Sequence, residues 1–86
     1  MVDNELQQLA QEVGQALIAK KLMLSFAESC TGGLASATIT NIPGSSAWFD
    51  GGVVTYSNQA KQDLLGVSGE SLRQYGAVSE QVASEM

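Results

Sequence analysis

The 86-residue sequence has no histidine, one cysteine (Cys30), one proline (Pro43) and only four lysine or arginine residues. Each shortage excludes something. With no histidine and a single thiol a zinc site has almost no ligands, so no metal is expected. Cys30 has no internal disulfide partner. Nine acidic residues against four basic ones leave a net charge of −5, which argues against a nucleic-acid-binding surface. No apolar run approaches the roughly 18 residues of a membrane span, so no membrane partner is expected. The opening MVDNELQQLAQ carries acids instead of a basic flank before an apolar stretch, unlike a signal peptide. Charged residues are 15% and hydrophobic residues 44% of the chain, which excludes a disordered, highly charged polymer. These bounds predict a cytoplasmic protein.

What is present reads as one small domain with a marginal core, since a chain this short buries about 60–65% of its unfolded surface. Residues 3–20 place Leu6, Leu9, Val13 and Leu17 on one face, with Ala10 and Ala16 beside them. That period predicts a helix, capped by Asp3 or Asn4 and closed by Lys20 and Lys21 at its negative end. Residues 22–27 form a short apolar run of strand length. Residues 34–40 predict a helix despite Thr38, Ile39 and Thr40. Residues 41–46 are a turn by composition. A second strand is expected within residues 48–56, ending at Tyr56. Ser57 or Asn58 caps a helix that Gly66 stops after Leu65, Ser68 caps another over residues 69–75, and Ser79 opens a last one. Alternating strands and helices predict an α/β fold, a layered α/β/α domain with a mostly parallel sheet. Such a sheet needs cover on both faces, which usually takes more than 86 residues. The length and the pattern do not fit one another.

The stretch Ala27-Glu28-Ser29-Cys30-Thr31-Gly32-Gly33 puts a polar, glycine-rich turn where a strand meets a helix. Free main-chain N–H groups at such a turn hold a phosphate or a developing oxyanion, though Ser or Thr capping with Gly for geometry explains the same residues. Cys30 reads as a small buried hydrophobe, because a nucleophilic thiol has no histidine to serve it. Any hydrolase built here needs another base. Lys20 and Lys21 close the first helix and arginine does not deprotonate, which leaves Lys61, one turn into its helix. Serine–lysine pairs are a known form of nucleophile activation, but the spacing fits a solvated helix residue as well. Tyr56 either supplies a hydroxyl at the strand end or caps the edge of the core. Gly44-Ser45-Ser46 suits a phosphate or an ordinary turn, and Trp48 and Phe49 read as core or interface aromatics.

The 27–33 stretch is followed in order by Pro43-Gly44-Ser45-Ser46, Gly52-Val53-Val54-Thr55-Tyr56-Ser57-Asn58 with Lys61, Leu65-Gly66-Val67 and Gly76-Ala77-Val78-Ser79-Glu80. At these spacings the series resembles the CinA C-terminal domain family. The resemblance implies nicotinamide-nucleotide amidase (NMN deamidase) activity: hydrolysis of nicotinamide mononucleotide to nicotinate mononucleotide and ammonia, in bacterial pyridine-nucleotide recycling, without metal or cofactor. Carried onto this chain it makes Ser29 the nucleophile, Lys61 the general base and Tyr56 an aid to proton transfer, with Ser46 a rival hydroxyl. Thr31, Gly32, Gly33, Ser45, Ser46 and Asn58 become substrate or oxyanion contacts, the oxyanion resting on N–H groups of the Thr31-Gly32 turn. Family domains are about twice as long, so residues 1–86 would be a single amidase domain's N-terminal half with the remainder absent, expected to self-associate as a homo-oligomer. The alternative expectation is an inactive nucleotide-binding or self-associating fragment.

Overall fold

In a computed structural model, which describes residues 4–86, the elements follow the order α1 (Asn4–Lys20), β1 (Leu24–Glu28), α2 (Leu34–Thr40), a 3₁₀ turn (Ser45–Ala47), β2 (Phe49–Val54), α3 (Asn58–Leu65), α4 (Gly69–Tyr75) and α5 (Glu80–Glu85). The chain is an α/β structure whose parallel sheet has two strands, β1 beside β2. Local signals account for most boundaries. Lys21 turns into the left-handed region (φ 57°) to end α1, and Gly66 does the same (φ 70°) for α3. Ser57, Ser68 and Ser79 each accept a bond at their helix start, from the N–H groups of Ala60, Ser71 and Val82. Asp3, one of the two expected caps of α1, lies outside the described residues. No described helix is long and apolar enough to cross a membrane.

The described chain divides into two units, one made of residues through Phe26 with Gly33–Gly52, the other of Ala27–Gly32 with Val53–Met86. The first unit is centred on buried Ala10, Ile39, Ile42 and Trp48, with Leu17, Leu24, Phe26 and Phe49 packed against them. The Phe26 and Phe49 rings lie 5.8 Å apart at 45°. Helix α1 forms as expected, but its apolar stripe does not supply the core. Leu6, Leu9 and Val13 are exposed, and the buried residues of α1 are Ala10 and Gly14. The cause is Trp48, whose indole lies so close to Gly14 that a Cβ there would stand 2.5 Å from two ring carbons. Small residues admit the large aromatic, and Leu6 and Leu9 are turned away while Leu17 still packs against the cluster. Gly14→Ala therefore sets a helix-propensity gain of about 1 kcal/mol against overpacking of about 1–3 kcal/mol. We expect a net loss, read as a lower thermal midpoint by circular dichroism; an unchanged or raised midpoint would refute the close packing.

The second unit is held by Val67, Leu72 and Val82, with Leu65, Ala77 and Met86 against them, and by the pairing of α4 with α5. Glu85, near the end of α5, accepts the Ser68 N–H at 2.8 Å and so satisfies an open donor at the start of α4. Hydrogen bonds from the Ser71 hydroxyl, and then from the Ser68 main chain, hold the Glu85 carboxyl below its ordinary 4.5. The ionised form is the one the fold favours. Its contribution is complete above the ordinary value and disappears as pH falls through the lowered one. Thermal midpoints of the parent should exceed those of Glu85→Gln at pH 7 and converge with them in stronger acid; a gap independent of pH would remove the carboxylate's role.

Candidate active site

Ser57 fixes where α3 starts, and the Lys61 N–H returns to the Ser57 carbonyl at 3.1 Å, so Lys61 sits in the first turns of the helix. Helical side chains lean toward the N-terminus, and this one reaches back over the residues that follow β2. Its amine bonds the carbonyl oxygen of Thr55 at 2.8 Å, the carbonyl oxygen of Tyr56 at 3.0 Å and Ser29 Oγ at 3.1 Å. Lys61 is only 2% exposed, and the three partners are uncharged. The two carbonyls accept two N–H groups. The third tetrahedral position, facing Ser29, holds an N–H when the amine is charged and a lone pair when it is neutral.

Ser29 is placed by the end of β1. Thr55, fully buried, donates its N–H to the carbonyl of Glu28 at 2.7 Å and its hydroxyl to the same oxygen at 3.4 Å. A closed ring of contacts results: Ser29 is bonded covalently to Glu28, Glu28 is held by Thr55, Thr55 receives Lys61, and Lys61 meets Ser29. Glu28 is itself buried, and Thr31 Oγ1 donates to its carboxylate at 2.8 Å. Gly32 (φ 64°) donates its N–H to the Ser29 carbonyl at 3.2 Å. A cavity of about 740 Å³ opens over this group, lined by Ser29, Cys30, Tyr56 and Lys61 on one side. Ala77, Val78, Ser79, Glu80, Ala83 and Met86 form the rest of its wall. Among the described residues no group of three or more Cys, Asp or Glu could hold a metal ion.

Several expectations are corrected by this geometry. The second strand ends at Val54, not Tyr56, because the carbonyls of Thr55 and Tyr56 turn to the lysine. The Tyr56 ring is 76% exposed at the cavity wall, so it does not cap a core edge. Cys30 is exposed instead of buried, since it follows Ser29 in the turn on the open side. Lys61 is not a solvated helix residue. In the Thr31-Gly32 turn one N–H, that of Gly32, is already bonded to the Ser29 carbonyl, and the Thr31 hydroxyl is held by Glu28.

Ser29, Thr31, Gly32, Tyr56, Asn58 and Lys61 all belong to the second unit, with Asn58 exposed at the first position of α3. Gly33, Ser45 and Ser46 belong to the first unit. There Gly33 (φ 103°) caps α2, Ser45 is buried in the 3₁₀ turn and Ser46 is exposed. Sequence reasoning missed Thr55, whose contribution is mostly main chain, and the 77–80 wall. The Gly76–Glu80 series is the visible signal for the wall: it marks a helix start and part of the family resemblance, but its pattern carries no sign of a cavity lining.

The family model for the CinA C-terminal domain matches residues 6–86. Proteins named nicotinamide-nucleotide amidohydrolase PncC from Enterobacter agglomerans and Escherichia coli strain K12 are 60% and 57% identical to the chain over 86 residues. In both cases the match covers 100% of this chain and 52% of the relative. The crystal structure of competence/damage inducible protein CihA from Agrobacterium tumefaciens aligns with a TM-score of 0.97 at 46% identity, covering 100% of this chain and 52% of that one. The chain spans about half the length of the curated relatives it matches.

Proposed function

Because this chain belongs to the CinA C-terminal domain family, we propose that it carries the nucleophile and base of an amidohydrolase that converts nicotinamide mononucleotide to nicotinate mononucleotide and ammonia. The observation that carries the reading is the buried Lys61 amine 3.1 Å from Ser29 Oγ. The name of the relatives, nicotinamide-nucleotide amidohydrolase, supplies the substrate class. In this reading residues 1–86 are the N-terminal half of one amidase domain in a cytoplasmic enzyme.

Neutral Lys61 takes the hydroxyl proton as Ser29 Oγ bonds to the carboxamide carbon. The C–N bond then breaks, and Lys61 returns the proton to the departing nitrogen, which leaves as ammonia. Water, deprotonated by the same amine, cleaves the acyl–serine ester to the carboxylate and restores Ser29. The tetrahedral oxyanion needs preorganised donors, each worth on the order of 3 kcal/mol. With Gly32 bonded to Ser29, the N–H groups of Cys30 and Thr31 take that role. Tyr56 at the cavity wall orients the pair or relays the proton through its hydroxyl. Asn58, exposed at the first position of α3 in the same unit, serves as a substrate contact.

Ser29→Ala should lower ammonia release from nicotinamide mononucleotide by about 10³-fold or more while nucleotide binding persists. Lys61→Arg should fail comparably near neutral pH, because arginine stays charged and accepts no proton. Near-parental release by either variant would sink the corresponding role. A second reading, a self-associating binding fragment without catalysis, draws on the exposed Leu6, Leu9 and Val13 of α1. It requires binding without ammonia release and a sedimentation mass above the 9.0 kDa of one chain. Ammonia release by the 86-residue chain would exclude it.

A further inference from the structure

We propose that Glu80 is a specificity-determining residue that reads the positive charge of an N-substituted pyridinium ring, selecting it over neutral pyridine carboxamides. The inference rests on the amidase reading for the orientation of the ring, but its evidence lies elsewhere in the cavity. Glu80 is the only acidic side chain in the lining that Ser29 and Lys61 share. It is exposed, and it forms no ion pair among the described residues. The single arginine of the chain, Arg73, is paired with Glu70.

The other wall residues are mostly apolar: Ala77, Val78, Ala83, Met86 and the Tyr56 ring. Such a wall accepts a flat heteroaromatic ring by burial, and the Tyr56 face adds attraction for a cation. In a nicotinamide ring the carboxamide and the ring nitrogen are meta to one another. When the carbonyl carbon meets Ser29 Oγ, the charged nitrogen stands two ring positions from the attachment point, close enough to fall within the same cavity. The two charged groups of the lining are also separated by burial. Lys61 is buried and bonded to carbonyls, and Glu80 is exposed, as a group that meets the substituted, solvent-facing ring nitrogen has to be. Neutral nicotinamide offers the same carboxamide without the charge, so Glu80 discriminates between ring forms that Ser29 and Lys61 treat alike.

The test compares equilibrium binding of two probes, 1-methylnicotinamide (cationic) and nicotinamide (neutral), to the 86-residue chain by NMR titration. The parent should prefer the cation by about fivefold, as expected for a partly solvated charge pair, with the preference fading at high salt. Glu80→Gln should bring the two affinities to within about twofold of each other. Glu70→Gln, which removes the same charge away from the cavity, should leave the preference intact. Glu80 opens α5, and its charge also suits a helix start, so circular dichroism checks that the variant is folded. Glu80→Asp, which keeps the charge, should retain most of the preference. Equal affinities in the parent, no binding of either probe, or an unchanged preference in Glu80→Gln would each overturn the proposal. The outcomes separate it from the amidase reading. Ammonia release with a preference insensitive to Glu80 refutes only this inference; no release with a Glu80-dependent preference refutes only the catalytic one.

Discussion

The Lys61 amine organises the second unit. A buried amine without partners is among the least tolerable groups in a protein interior, and this one is 2% exposed. Its needs are met by two main-chain carbonyls and one serine hydroxyl. Those acceptors in turn dictate the backbone around them. The Thr55 and Tyr56 carbonyls bond a side chain instead of a neighbouring strand, so β2 ends at Val54. The Thr55 N–H still reaches the Glu28 carbonyl, so the ends of the two strands remain tied where the polar turn begins. Ser57 must then start α3 at once, because a later start would carry Lys61 away from the carbonyls it reaches back to.

The geometry around Lys61 is independent of the first unit. Every atom in the ring from Ser29 through Glu28 and Thr55 to Lys61 lies within Ala27–Gly32 or Val53–Met86. The first unit solves a separate packing problem, admitting Trp48 against Gly14 at the expense of Leu6 and Leu9 of α1. Chain connectivity couples the two: β1 passes from one unit to the other after Phe26, and Gly33 returns the chain to α2.

What could be read from the sequence divides along the same physical line. Helix starts and stops depend on local groups, so Ser57, Ser68, Ser79 and Gly66 announced their roles, and the α/β pattern followed from them. Burial depends on partners far along the chain. Gly14 meets Trp48 across 34 positions and Ser29 meets Lys61 across 32, and no local pattern encodes either contact. The regular stripe of Leu6, Leu9 and Val13 therefore overstated its part in the core. Cys30 was misread for a similar reason, since type alone favours burial while its turn faces the open side. Lys61 could be singled out only because the sequence has so few basic residues and no histidine. Its burial was visible only in three dimensions.

The absence of histidine also explains the form of the proposed catalytic group. An imidazole base is usually oriented by a third side chain, often a carboxylate, that fixes which nitrogen faces the nucleophile. A primary amine has three equivalent tetrahedral positions and no tautomer to choose. Two acceptors suffice to direct the third position, and here both are carbonyls of consecutive residues. Carbonyls bring no formal charge to the amine they orient. The only acidic group in the described lining, Glu80, is exposed, and the buried Glu28 carboxylate accepts from Thr31. Under the proposed function, a buried lysine held by peptide oxygens and a single exposed carboxylate in the same lining would divide proton transfer from charge recognition within one small unit.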